Sequence, residues 1–256
     1  MSFNPLKVKA LFFDIYATLI DWESGIYPQL LHLSQQLPPS SPLASDTPKT
    51  RETLLRMYAA NEKTVELENP KLAYPQILEQ VYARIASELN VPFSTSDQIS
   101  FGQSIGTWPA FPDTVAAMQI LSKHYKLFVL SNVVNASFAR TCAGPLDGVN
   151  WDGIYTAEQI GSYKPNSANY NLVVTRLRED FGIEKGGIVQ VAQSLDLDHV
   201  SGKRLGFEPG VWIKRGGAAM GGNREELEGK GMIELGAIYG TLGEMAVAVE
   251  EAFSKT

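Results

Sequence analysis

The sequence predicts an α/β fold, a doubly wound parallel sheet with a small helical cap inserted after its first strand. Three features carry the prediction: short apolar runs, helix-period segments that alternate with them, and one long stretch with no strand-like run. The first run, Lys7 to Phe13 (KVKALFF), turns continuously apolar and stops at Asp14, as a strand buried on both faces would. Lys126 to Asn132 (KLFVLSN), Gly186 to Gln193 (GGIVQVAQ) and Gly210 to Arg215 (GVWIKR) are runs of the same kind. Between them, Asp113 to Tyr125 and Ala168 to Asp180 carry the helical period.

From about Gly25 to Gln103 this rhythm breaks. A Pro/Ser-rich loop, Leu37 to Thr50, precedes helical stretches over Arg51 to Glu68 and Tyr74 to Leu89. The pattern predicts a catalytic core of residues 1–24 and 104–256 and a helical cap of residues 25–103, with Trp108 to Thr114 (WPAFPDT) as the return hinge. Arg215 to Asn223 (RGGAAMGGN) reads as a flexible loop, since it has neither a GK[ST] ending nor a G-x-G-x-x-G pattern to cradle phosphate.

Composition narrows the function. At 256 residues, 44% hydrophobic and 20% charged, the chain is an ordinary globular protein. A formal net charge of −6 without a basic stripe argues against nucleic acid as a partner. The apolar runs are far shorter than the roughly 20 residues of a membrane span, and the N-terminus has no signal-peptide pattern. A single cysteine, Cys142, leaves no intramolecular disulfide and fits a reducing, cytoplasmic setting. Cys142 reads as a small hydrophobe, with only His32, His124 and His199 available to activate it as a nucleophile. A homodimer is left open, because nothing here distinguishes an exposed helix from a subunit interface.

The chemistry starts at Asp14. Ligands of open α/β sheets bind at the carboxyl ends of the strands, where Asp14 stands in FFDIYATLID. Alone it is more readily a helix N-cap or turn aspartate. Three further polar clusters occupy similar places: Ser131 and Asn132 after KLFVL, Lys164 in GSYKPNSANY, and Asp196, Asp198 and His199 after GGIVQVAQSL. If the strand ends converge, a carboxylate nucleophile, a hydroxyl/amide pair, a cation and a second carboxylate meet in one crevice.

The order D-x-Y-x-T-L, strand-S-N, Y-K-P and S-L-x-x-D resembles the haloacid dehalogenase superfamily across nearly the whole chain, and FDIYATL resembles the FDxYGTL of its L-2-haloacid dehalogenases, with Ala17 in place of the usual glycine. The resemblance implies a Rossmann-like core and a helical cap behind the nucleophile strand. Superfamily phosphatases carry a second aspartate two residues after the nucleophile, as general acid for an alkoxide leaving group. Here that position is Tyr16, whose ordinary pKa near 10 suits it poorly to the task. Halide leaves without a proton, so the resemblance implies hydrolytic dehalogenation of a small 2-haloalkanoic acid, with a halogenated carboxylate as substrate.

By this resemblance Asp14 attacks carbon, Lys164 pairs with it, Thr18 orients it, and Asp198 activates the water that cleaves the ester. Ser131, Asn132, Tyr16 and Tyr170 would contact substrate, and Arg56 (or, less well placed, Arg51) would receive halide from the cap. Trp22, Tyr58, Trp108 and Phe111 are candidate pocket aromatics, each read more readily as core. Gln193 stands where phosphatases often have an aspartate, so no metal and no cofactor is expected. Leu195 replaces the asparagine that dehalogenases carry before the last aspartate, which leaves open whether Asp196 substitutes for it. The alternatives are a magnesium-dependent phosphatase or phosphonate hydrolase of the same superfamily, or a non-catalytic binding protein that kept the fold.

Overall fold

The protein is described by a computed structural model covering residues 3–216 and 221–255. Its elements in chain order are β1 (Ala10–Phe13), α1 (Trp22–Ser34), α2 (Pro48–Glu68), α3 (Tyr74–Leu89), α4 (Thr95–Gln103), α5 (Thr114–Leu121), β2 (Lys126–Ser131), α6 (Asn135–Ala143), β3 (Gly153–Thr156), α7 (Ala157–Ile160), α8 (Ser167–Phe181), β4 (Ile188–Ala192), α9 (Val200–Arg204), β5 (Gly210–Ile213), α10 (Arg224–Gly229), β6 (Leu235–Tyr239) and α11 (Leu242–Phe253). They form two compact units, one of Met1–Asp21, Ala110–Asn135 and Cys142–Thr256, the other of Trp22–Pro109 and Ala136–Thr141. Residues 217–220, the middle of the glycine-dense stretch read as a flexible loop, lie outside the described residues.

The first unit is a six-stranded sheet in the order β3-β2-β1-β4-β5-β6, parallel at every pairing. The four predicted strands are present. β3 and β6 are additions, short strands beyond the apolar runs that marked the others. Strands β1 and β4 are buried at every residue, which is why they read as continuous apolar runs rather than alternating ones. Phe12, Phe128 and Leu130 pack against Tyr170, Val173 and Leu177 of α8 in one hydrophobic cluster. The chain moves outward from β1 to β2 and β3, then returns to β4 on the other side of β1. Strand order therefore reverses at β1 and β4, and the crevice at their carboxyl ends is where such sheets bind ligands.

The second unit is built mainly from α1 to α4. Thr47 caps α2, its hydroxyl accepting from the Thr50 N–H at 3.1 Å with Pro48 as the first helical residue. Ser94 and Asp97 form a reciprocal capping box on α4. Helix α1, which the sequence reading left unassigned, contains both Gly25 and Pro28. Gly25 is required by packing, since a Cβ there would lie 2.3 Å from the Trp108 ring. Trp22, Tyr58 and Trp108 are buried, with the Trp22 and Tyr58 rings 5.5 Å apart. Among the described residues no helix is long and apolar enough to cross a membrane.

Candidate functional site

Asp14 is the first residue beyond β1, and its N–H donates to the Val191 carbonyl at 3.3 Å, extending the β1–β4 ladder by one step. The chain then turns tightly. The Leu19 and Ile20 N–H groups both donate to the Ile15 carbonyl, at 2.7 and 3.0 Å, and Ala17 N–H donates to the Ile20 carbonyl at 2.9 Å. Closing that loop takes Ala17 to a φ of 69°, the left-handed region that favours glycine. The turn brings Thr18 back over Asp14. The Thr18 hydroxyl accepts from the Gln193 N–H at 2.9 Å, which directs its proton to Asp14 Oδ2 at 3.3 Å.

Lys164 arrives from the loop before α8. Asn132, just past β2, grips its backbone at two points: Asn132 Nδ2 donates to the Lys164 carbonyl at 3.1 Å, and the Lys164 N–H donates to Asn132 Oδ1 at 2.6 Å. The ammonium then bridges two carboxylates, 2.7 Å from Asp14 Oδ1 and 2.9 Å from Asp198 Oδ1. Asp198 sits in the π-helical turn Leu195–His199 that follows β4. Ser194 opens that turn, its Oγ accepting from the Leu197 N–H at 3.2 Å. The side chains of Lys164 and Asp198 are each 2% exposed and that of Asp14 is 14% exposed, so solvent reaches the site chiefly from the Asp14 side.

The electrostatics follow from that burial. Burial alone lowers the Lys164 pKa, but Asp14 and Asp198 outweigh it and hold the amine firmly as an ammonium. Burial pushes Asp198 up to about 6, with Asp14 adding to the shift and Lys164 opposing it. Asp198 Oδ1 also accepts from Gln190 Nε2 at 2.9 Å, while Oδ2 is buried and has no hydrogen-bond partner among the described residues. A buried carboxylate oxygen left bare is costly, and it is a free acceptor inside the site.

Asp14, Thr18, Asn132, Lys164 and Asp198 are thus brought together, with Ser131 buried at the end of β2 beside Asn132. Tyr16 is half-buried in the loop after Asp14, bridged to Ile20. Two expected substrate contacts have other partners here. The Asn132 amide holds the Lys164 backbone, and the fully buried Tyr170 donates its hydroxyl to the Leu197 carbonyl at 2.9 Å, supporting the Asp198 turn from below. Arg56 differs most from expectation. It is 73% exposed on α2 and pairs with Glu52 at 2.6 Å, one helical turn away, so it is a solvated helix arginine. Arg51 pairs with Glu23 at 3.8 Å and lies over the Tyr27 ring.

Asp196 is exposed, its carboxylate filling the space where a Cβ at Gly222 would stand 2.7 Å from Oδ2, so it does not supply the buried contact that Leu195 lacks. Burial raises the Cys142 thiol, which keeps it from being a thiolate nucleophile. Gln190 was missed by the sequence reading. Its signal was a lone amide in the otherwise apolar strand IVQVA, and buried polar groups of that kind need a partner.

A divalent cation fits this donor set poorly. Among the described residues no three His, Cys, Asp or Glu side chains converge, and the space between the two carboxylates is filled by the Lys164 ammonium. Gln193, in the position of a further acidic ligand, donates its N–H to the Thr18 hydroxyl, and its carbonyl accepts from Trp212 Nε1 at 2.9 Å.

Family models and curated protein sequences give no match to this chain. Solved structures do. A defluorinating L-2-haloacid dehalogenase superposes with a TM-score of 0.71 at 14% identity, over 95% of this chain and 95% of that one. The L-2-haloacid dehalogenase of Xanthobacter autotrophicus superposes with a TM-score of 0.69 at 16% identity, over 95% of this chain and 98% of that one. A magnesium-bound Bacillus subtilis protein assigned to the HAD-hydrolases gives 0.67 at 16%, over 94% and 98%. The class defined is the α/β fold of HAD hydrolases. Within it, this chain is similar in fold to L-2-haloacid dehalogenases along nearly its whole length.

Proposed function

We propose that the protein is a hydrolase of the 2-haloacid type, which replaces the halogen of a small 2-haloalkanoate by hydroxyl through an ester on Asp14. The observation that carries the reading is the Lys164 ammonium bridging Asp14 and Asp198 at the switch point of the sheet, with Tyr16 where a phosphatase would hold its general acid. A structure of the Xanthobacter autotrophicus enzyme with chloropropionic acid covalently bound belongs to the same fold group, at a TM-score of 0.68 and 16% identity. The cap role expected of the helical insertion is part of this proposal.

Lys164 holds Oδ1 of Asp14, so Oδ2, met among the described residues by the Thr18 hydroxyl, is the oxygen presented for attack. It forms a bond to C2 as the carbon–halogen bond breaks and halide departs with the electron pair. Water then adds to the Asp14 carboxyl carbon while Asp198 Oδ2 takes its proton. Cleavage of the acyl–oxygen bond expels the 2-hydroxy acid alkoxide, which recovers that proton. Asp14 returns as carboxylate and the second water proton goes to solvent. Asp198, at about 6, is a base near neutral pH, where such transfers work best.

The test is halide release from both enantiomers of 2-chloropropionate and from fluoroacetate, with and without chelator. Chelator-insensitive release that falls by on the order of 10⁴-fold or more in Asp14→Asn is expected. Activity on phosphate esters that chelator abolishes would instead identify a magnesium-dependent hydrolase. Asp14→Asn turning over at the wild-type rate would remove Asp14 as nucleophile.

A further inference from the structure

Arg215, just past β5, is a buried charge to which the proposed chemistry gives no task. Its side chain is 2% exposed, its φ is 51°, and its guanidinium meets two segments of the first unit. Nε donates to the Thr18 carbonyl at 2.8 Å, one Nη donates to Asp113 Oδ1 at 2.6 Å and the other to Thr114 Oγ1 at 3.3 Å. The guanidinium carbon lies 4.1 Å from the centroid of Phe111. Asp113 is held in turn by the Gly243 N–H at 2.8 Å, and Thr114 Oγ1 donates to the Leu19 carbonyl at 2.9 Å. The backbone of Arg215 is pinned as well, its N–H donating to the Gly240 carbonyl at 3.0 Å.

These partners share one feature. Thr18 and Leu19 directly precede the point where the chain leaves this unit after Asp21, and Phe111 to Thr114 directly follow its return at Ala110. The two crossings are also zipped to each other, by the Phe111 N–H to the Leu19 carbonyl at 3.1 Å and an antiparallel bridge between Ile20 and Ala110. Thr18 is held from two sides, its hydroxyl by Gln193 and its carbonyl by Arg215, and it is the residue whose proton points at Asp14.

We infer that Arg215 is a positioning residue for Asp14: it sets the Asp14–Ile20 loop through the Thr18 carbonyl and locks that loop to the returning chain at Asp113. The planar fork is what the task needs. Three donors in fixed directions join a carbonyl, a carboxylate and a hydroxyl, where a lysine supplies a single point charge. A neutral glutamine would also leave Asp113 without its cation. The consequence for chemistry rests on the haloacid reading; the consequence for the loop does not.

Peptide-resolved hydrogen exchange of residues 14–20, measured on the full chain alongside haloacid turnover, separates the two. For Arg215→Gln the Thr18, Leu19 and Ile20 amides are expected to exchange at least about tenfold faster while β1, β2 and β4 amides keep wild-type protection, with Arg215→Lys in between. On 2-chloropropionate kcat is expected to fall about 10- to 100-fold with KM within about threefold, as for a misplaced nucleophile. Unchanged loop exchange, or acceleration spread evenly over the sheet, overturns the inference. So does a change confined to KM. Wild-type protein that releases no halide would defeat the haloacid reading, and the exchange data would still decide the loop.

Discussion

At the scale of single residues, Ala17 shows where the sequence bears strain. Left-handed backbone costs an L-residue roughly 1–2 kcal/mol, while glycine in place of alanine adds roughly 0.5–1 kcal/mol of backbone entropy loss. At a φ of 69° the first effect is the larger, so Ala17→Gly is expected to stabilise the protein by about 0.5–1 kcal/mol, read as a raised urea midpoint at unchanged slope. A lowered midpoint would mean that packing of the alanine methyl outweighs the backbone strain. Asp198 carries the other residue-scale prediction. With its carboxyl pushed up to about 6, protonation below that pH removes the base for ester cleavage and leaves the Asp14 attack in place. Between pH 7.5 and 5, steady-state halide release should drop about tenfold while a one-equivalent burst of halide persists in rapid quench. Steady-state release that stays flat over that range would exclude Asp198 as the base. Asp14, Thr18, Lys164 and Asp198 were legible because each lies in a short polar motif, three of them after the ends of β1 and β4 and Lys164 in the loop ahead of α8. The second partners of Asn132 and Tyr170 were not, because a hydrogen bond to the backbone of a residue 32 or 27 positions away leaves no local pattern.

At the scale of elements, legibility followed burial. Strands β1, β2, β4 and β5 are apolar enough to read from composition alone, whereas β3 (GIYT) has only Thr156 fully buried and β6 (LGAIY) only two of its residues. Helix α1 was hidden by Gly25 and Pro28, residues that local propensity excludes, although packing against Trp108 demands the glycine. The junction of β4, its π-helical turn and β5 has a similar logic. His199 is buried with Nε2 on the Ala192 carbonyl at 3.1 Å, and β5 opens on Gly210 because a Cβ there would stand 2.8 Å from His199 Nδ1. Burial lowers this imidazole from 6.5 to about 4. A base depressed in the folded state stabilises fully above its unfolded pKa, and that contribution is lost as pH falls from 6.5 through 4, here ~3 kcal/mol. Asp198, raised from 3.8 to about 6, acts with the opposite sign over nearly the same window, so the wild-type profile masks both. The stability gap between wild type and His199→Gln should therefore narrow by ~3 kcal/mol from pH 7 to pH 4. Parallel urea midpoints across that range would place the charged imidazole in the fold.

At the scale of the whole molecule, the two units are expected to respond to pH through different groups. The helical unit holds Glu62, one of a charged run in α2 (NEKTVELE) that by sequence belongs on a solvated face. Its burial depends on a partner the run does not contain: Glu62 Oε1 accepts from the Tyr58 hydroxyl at 2.9 Å and from the Tyr74 hydroxyl of α3. Only the packing of α2 on α3 creates that site, which is why the sequence gives no hint of it. Burial pushes Glu62 up to about 7, with Glu66 adding to the shift and the two phenols opposing it. A carboxyl raised in the folded state binds its proton more tightly there than in the unfolded chain. Its contribution is complete below the unfolded pKa of 4.5 and is lost as pH rises through 7, the reverse of His199. Glu62→Gln keeps the acceptor for both phenols and removes the ionisation. The variant should match wild type near pH 4.5 and exceed it by ~3 kcal/mol at pH 8, read from native-state exchange of α2 and α3 amides corrected for intrinsic rates. Amides of β1 and β4 should show no such difference if the effect stays within the helical unit. Equal protection of α2 in both proteins at pH 8 would mean that the ionised carboxylate is accommodated there without cost.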